Sequence, residues 1–297
     1  MSMILVTAAF GHQGKLLIPK LAAAGFKVRA ARGTPDREDE LLTLGASEVF
    51  VGDIHDPDVY AQALEGCEAV YHISPGAHPR EKEMGLSMIE AAKRRGIRHV
   101  VLNSVLHTII DIMQHRYKRD QEEALIESGL NFTILKPCGY MIGDVHVAPV
   151  MQMGALPCFW SDLSRKQSLI SLDDLTDVVV KILKEGAGHY YASYELAGPD
   201  KLDHLEMARI LSRVTGRKIQ AISKTPEDLM DVLWGTRDAA GAFKHQADVL
   251  RSIMRWCSQF DFLGNSNTLE WLLGRPPTTF EQFATKAYAE LAAGKSR

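Results

Sequence analysis

"ILVTAAFGHQGKLLIPKLAAAG", residues 4–25, is the stretch whose reading decides the fold. A short apolar, partly β-branched run passes through small residues into a run with helical periodicity, so a strand, a tight turn and a helix are predicted. The turn carries Ala8, Gly11 and Gly14 in an Ala-x-x-Gly-x-x-Gly spacing. Glycines at such a turn let backbone N–H groups at the helix start approach a pyrophosphate, whose charge the helix dipole favours. One of the three positions is alanine. A methyl group is tolerated there at negative φ and penalised at positive φ, so cofactor binding is expected to survive in weakened form.

Outward from this stretch, short β-branched runs alternate with amphipathic ones: "KVRAAR", "SEVFVGD", "EAVYHIS", "RHVVLNS" and "NFTILKP" read as further strands, each preceded by a helical run. Alternation of this kind predicts an α/β fold, a Rossmann-type doubly wound parallel sheet with apolar strands covered on both faces. Ligands of such sheets bind beyond the strand C-termini. Asp56-Pro57 reads as a helix start, and lysine and arginine gather at the end of "EKEMGLSMIEAAKRRG". After residue 140 the pattern changes to methionines, aromatics and loops, then "SLISLDDLTDVVVKIL", with Ser171 and Asp174 as a capping box, returns to the earlier style. Residues 1–140 with returning segments about 168–198 are expected to form the dinucleotide-binding domain. Residues 141–167 and 199–297 form a smaller, mainly helical substrate domain, with helix starts at Thr225-Pro226 and at Thr278, paired with Glu281.

The bulk composition excludes several classes. The chain has 297 residues, 46% hydrophobic and 24% charged, with a formal net charge of −3. Neither disorder nor a polyanion partner follows from that, and "KRRGIRH" (93–99) is a solvated helix end, so no nucleic-acid partner is expected. The four cysteines stand singly, with no zinc spacing, and no metal is expected. Apolar runs are broken by charge before a bilayer-spanning length, so a soluble, cytoplasmic protein without a membrane partner is expected. A homodimer stays open.

"TAAFGHQG", "VRAARG", "GDIHDP", "YKRDQEEALIESGLNFTILKPCGYM", "YELAG" and "LEWLLGRPPTTFEQF" together resemble the NmrA-like family of atypical short-chain dehydrogenases/reductases over nearly the whole length. The resemblance implies a Rossmann domain beside a smaller substrate domain, and either an NAD(P)H-dependent reductase, quinone reductases included, or a non-catalytic NADP(H)-binding redox sensor acting through a protein partner. The family generally carries glycine at Ala8 and threonine at Phe10. Phe10 is bulky for a place near phosphates, and the flank of the sheet is its other resting place.

The expected cofactor set is Thr7, Ala8, Phe10, Gly11, His12, Gln13 and Gly14 from the turn, joined by Arg32, Asp53, Ser74, Lys118 and Pro137. An arginine ending the second strand accommodates the 2′-phosphate of NADP. Arg32, with Arg37 nearby and no acid before Asp36, therefore favours NADP(H) over NAD(H), which stays open. Asp53 resembles the family's adenine-contacting aspartate.

Lys118 matches the family's lysine, expected to hold the nicotinamide ribose, with an exposed pair to Glu122 as the plainer alternative. The superfamily's usual catalytic tyrosine, four residues earlier, is Gln114 here. Proton donation to a reduced acceptor then has His115, Tyr117 and Ser104 as candidates, His115 foremost because it titrates near neutrality. A solvated histidine is its ordinary alternative. His72, His107 and His146 read as polar lining or loop surface. Met141, Met151, Met153, Phe159 and Trp160 read mostly as core, a few as walls of a pocket for a hydrophobic, aromatic carbonyl or quinone.

Overall fold

Apolar runs joined by amphipathic helices build a parallel sheet because each strand must bury both faces. In the computed structural model, which describes residues 2–235 and 243–294, the chain begins β1 (Met3–Val6), α1 (His12–Ala23), β2 (Lys27–Arg32), α2 (Glu38–Thr43), β3 (Glu48–Val51) and α3 (Pro57–Ala63). It continues β4 (Ala69–Ile73), α4 (Glu81–Arg95), β5 (His99–Asn103), α5 (Met113–Ile126) and β6 (Phe132–Pro137). Then come β7 (Gly139–Met141), α6 (Gly143–His146), α7 (Ala148–Met153), β8 (Ala155–Cys158), β9 (Gln167–Ser171), α8 (Leu172–Glu185) and β10 (Ala192–Leu196). The last part is β11 (Lys201–Leu202), α9 (His204–Thr215), β12 (Gln220–Ser223), α10 (Pro226–Trp234), α11 (Lys244–Cys257), α12 (Asn267–Leu273) and α13 (Phe280–Ala292).

The chain divides into two units. The first takes residues to Ile110, Gln114–Pro137 and Leu172–Glu195. Its seven-stranded sheet has the order β10-β6-β5-β4-β1-β2-β3, with β1 through β6 all parallel. The expected doubly wound sheet is therefore present. Strand order reverses between β1 and β4, which is where such sheets open a crevice for ligands. Leu5, Tyr60, Val70, Met88, Val100 and Leu102 are among the wholly buried side chains of this unit's core.

Local signals explain the helix boundaries. Asp56 accepts from the Asp58 amide with Pro57 in the first turn, and the last turn of α4 holds Lys93, Arg94 and Arg95. α1 buries Leu17, Ile18 and Leu21 and packs against α8. Lys20 fixes that packing: its ammonium donates to Asp173 O, Thr176 Oγ1 and Asp177 Oδ1, each at 2.8 Å.

The second unit takes Asp111–Met113, Cys138–Ser171 and residues from Leu196 onward. It has a three-stranded sheet, β11-β9-β7, a β8–β12 pair, and helices α6, α7 and α9 to α13. Met141, Val150, Leu156, Met207, Leu211 and Phe280 form its core; Met151 packs against this core, whereas Met153 is exposed. His146 is not loop surface: its ring lies 6.0 Å from Phe280 and 6.4 Å from Phe283, edge-on to both. The Thr225 cap forms as expected, a capping box with Asp228. The C-terminal helix corrects the sequence reading by one residue, because its cap is Thr279 with Gln282 rather than Thr278 with Glu281. The later start places Phe280 and Ala284, one helical turn apart, in the core, and the Asp200 carboxylate accepts the Phe280 amide at 2.6 Å. No helix among the described residues is long and apolar enough to cross a membrane.

Candidate cofactor site

The turn after β1 is a tight four-residue reversal in which the Gly11 amide donates to Ala8 O at 2.9 Å. Ala8 has φ +46°, the conformation that penalises a methyl group: an L-residue stands where glycine costs nothing. Gly14 is dictated by contact, since a Cβ there would lie 2.2 Å from Ala9 O. That close approach seats α1 on the turn. The start of α1 has no side-chain cap and no acidic residue in its first turn, and Gly11 and His12 are exposed. Uncapped amides at a helix N-terminus attract an anion.

Two of the expected turn residues face inward. Thr7 Oγ1 donates to Ile73 O at 2.9 Å and accepts from the Ile73 amide at 2.8 Å, lacing β1 to β4 where the strand order reverses. Gln13 Oε1 accepts from the Tyr71 hydroxyl at 2.8 Å. Ser74, just past β4, has Oγ 3.1 Å from His72 Nε2, and Pro137 O accepts the Leu106 amide at 2.9 Å.

His72 belongs to a buried chain. Its Nδ1 lies 2.9 Å from the Tyr60 hydroxyl, and burial pushes its pKa down to about 3. It is a neutral ring inside the sheet, not polar lining.

On the β2 side, Arg32 is largely buried. Its Nη2 donates to Asp36 Oδ1 at 2.7 Å and Thr34 Oγ1 at 3.0 Å, while Nε and Nη1 are buried with no hydrogen-bond acceptor. A desolvated guanidinium with unmet donors is destabilising until an anion meets them. Phe10 does not turn to the sheet flank. Lys15 Nζ, the Arg37 guanidinium and the Arg32 guanidinium stand 4.2, 3.9 and 5.4 Å from its ring centroid. The Thr34 hydroxyl and Arg32 hold the Asp36 carboxyl below its usual range.

Asp53 is exposed. It hydrogen-bonds the His55 ring and amide, which lower its pKa, and Arg80 Nη1 lies 3.8 Å away. The His55 ring stacks on His78 at 4.6 Å.

On the β5 side, Lys118 is buried. It donates to Asn103 O at 3.2 Å and ion-pairs with Glu81 Oε1 at 3.1 Å, rather than with Glu122. Glu81 is wholly buried at the start of α4, and neither carboxylate oxygen has a hydrogen bond of good geometry. Glu122 instead pairs with Lys136 at 2.8 Å and accepts from the Ser104 hydroxyl, so that candidate proton donor points inward. His115 is buried, not solvated. Its Nδ1 donates to His107 O at 3.0 Å, and desolvation lowers its pKa, favouring the neutral ring. Tyr117 is half-buried, its hydroxyl pKa raised by burial and by Glu81. Gln114 Nε2 lies beside Gly76, 3.6 Å from where a Cβ would stand.

Lys15 and Glu81 were not foreseen as site residues. Lys15 carried a signal: a cation in the first turn of a helix opposes the dipole unless an anion binds there. Glu81 carried none, being 37 residues from its partner in sequence. Among the described residues no cluster of three or more His, Cys, Asp or Glu could hold a metal ion.

The profile of the NAD(P)H-binding family matches residues 8–186. The chain belongs to that family. An NAD(P)H azoreductase of Xenophilus azovorans is 26% identical over 292 residues, covering 97% of this chain and 98% of that protein. Among solved structures, the NADPH complex of an NADPH-dependent quinone oxidoreductase of Escherichia coli superposes with TM-score 0.79 at 22% identity, over 96% of this chain and all of that one. NmrA, a negative transcriptional regulator solved with NADP, superposes with TM-score 0.78 at 18% identity, over 99% and 98% of the two chains. The last two likenesses concern the fold, and they agree with the NmrA-like resemblance seen in the sequence.

Proposed function

We propose that the protein is an NADPH-dependent reductase of a hydrophobic, aromatic acceptor such as a quinone, an aromatic carbonyl or an azo compound. The observation that carries the cofactor half is Arg32: a desolvated guanidinium with two unmet donors, at the C-terminal end of β2, suits the 2′-phosphate of NADPH. The bound nicotinamide would supply a hydride at C4. The chain's own residues bind and orient. The His12 amide at the uncapped start of α1, just past the turn closed by Gly11, takes the diphosphate, and Asp53 the adenine. Lys118 turns one ammonium N–H to Asn103 O and another toward Glu81, which leaves a third for the ribose hydroxyls. The azoreductase and quinone oxidoreductase relatives supply the acceptor classes.

A second reading, an NADP(H)-binding sensor acting through a protein partner, is favoured by Gln114 in the tyrosine's place and by the inward hydrogen bonds of Ser104 and His115. The test is NADPH oxidation at 340 nm with quinones, aromatic ketones and an azo dye. Turnover that falls at least tenfold in Lys118→Ala supports the reductase. Tight NADPH binding with no turnover on any acceptor supports the sensor. If His115→Ala keeps full kcat, His115 is not the proton donor and water or the acceptor itself fills that role.

A further inference from the structure

The reversal after β1 sends its two corner residues to opposite sides. Ala9 is wholly buried, and Phe10 stands out at the half-buried corner. The ring of Phe10 then has three cations around it, Arg37 at 3.9 Å, Lys15 at 4.2 Å and Arg32 at 5.4 Å from its centroid. These cations come from three separate places: the first turn of α1, the end of β2 and the residue before α2. Like charges gathered this closely repel one another. Asp36 on Arg32 and Glu40 on Arg37 offset part of the repulsion, but both carboxylates are well exposed, and Arg32 Nε and Nη1 keep no acceptor. The π face of an aromatic ring attracts cations where water is excluded, and no aliphatic side chain does this.

We infer that Phe10 is a further specificity-determining residue for the 2′-phosphate, acting as a positioning residue whose ring holds Arg32, Lys15 and Arg37 together as a preformed anion clamp. The inference rests on the NADPH reading above and deepens it. Arg32 alone would discriminate weakly, since its exposed edge is already bonded to Asp36 and Thr34. With the ring in place, a 2′-phosphate entering the clamp meets three cations whose repulsion has been met beforehand, and less ordering is left for the ligand to impose. NADH and 5′-AMP present only a hydroxyl there and draw nothing from the ring.

The experiment is calorimetric titration of the full chain with NADPH, NADH, adenosine 2′,5′-bisphosphate and 5′-AMP, in wild type, Phe10→Leu and Phe10→Trp. Leucine keeps the apolar bulk and removes the π face; tryptophan restores it. In Phe10→Leu, affinity for NADPH and for the 2′,5′-bisphosphate is expected to fall about fivefold to tenfold. NADH and 5′-AMP stay within about twofold, and Phe10→Trp recovers the wild-type ratio. A merely structural role would lower all four ligands together, which overturns the inference, as does an unchanged ratio in Phe10→Leu. The two failures separate cleanly. If wild type binds NADH as tightly as NADPH, the NADPH reading falls and this inference with it; a strong wild-type preference that Phe10→Leu leaves intact removes only the role of Phe10.

Discussion

The two flanks of the same sheet edge handle charge in opposite ways. On the β5 flank Lys118 and Glu81 are sealed from solvent and answer each other, with Asn103 O as the third member. On the β2 and β3 flank Arg37, Asp36, Glu40, Asp53 and Arg80 pair in the open, while Arg32 is drawn inside. Buried pairs are rigid and lose heavily when one member is removed. Exposed pairs contribute little and are screened by salt. One flank holds a fixed geometry, while the other carries carboxylate counterions that water reaches.

The backbone joining the flanks is the first place to break this contrast. Gly14→Val puts side-chain carbon where a Cβ would already sit 2.2 Å from Ala9 O, so α1 cannot seat and both flanks lose their common turn. Loss of nucleotide binding together with a fall of several kcal/mol in unfolding free energy is expected by denaturant titration. On the buried flank, Lys118→Met leaves Glu81 unpaired and lowers stability by about 3–5 kcal/mol, and the double variant Lys118→Met/Glu81→Gln recovers most of it. A single variant that costs under 1 kcal/mol would show that the pair is not sealed. On the open flank, Arg32→Ala lowers NADPH affinity about tenfold to a hundredfold and spares NADH, with little change in stability. Equal losses for both nucleotides would end its assignment to the 2′-phosphate.

Acid sharpens the contrast further. His72 has a pKa near 3, and His99 and His204 near 4, all because burial disfavours the charged ring. The unfolded chain binds a proton at each near pH 6.5, before the folded chain does. Their contribution is therefore whole above about pH 6.5 and is lost as pH falls toward 4. His72 alone accounts for about 2 kcal/mol between pH 6.5 and 5, and His72→Gln should flatten the melting temperature against pH in that window. The smallest expected effect is a gain. Ala8→Gly relieves a left-handed alanine and raises stability by about 1 kcal/mol, read by the same titration.

The sheet and its crossover helices were legible because the central strands are mostly apolar and the helical runs between them amphipathic, with Asp56-Pro57 marking the start of α3. The place of Arg32 at the end of β2 was legible too, because a strand end needs no tertiary knowledge. The φ of Ala8, the partner of Lys118 and the surroundings of Phe10 were not. Lys118 has Glu122 one helical turn away, and a local rule chooses it; the fold chooses Glu81 because α4 presents a desolvated carboxylate that needs a cation. Phe10 had two plausible homes, and the choice rests on three cations that sequence scatters along the first 37 residues. The one-residue error at α13 has a similar origin, since two threonines offer the same cap and only the core says where Phe280 must go.

Lys20 reaches forward to Asp173, Thr176 and Asp177, so the helix behind the first turn leans on chain that a ribosome delivers some 150 residues later. A fragment cut after residue 140 would therefore leave the outer side of α1 without its neighbour, and a nascent chain of that length would still lack a finished nucleotide groove. Maturation of the earliest motif waits on one of the later ones.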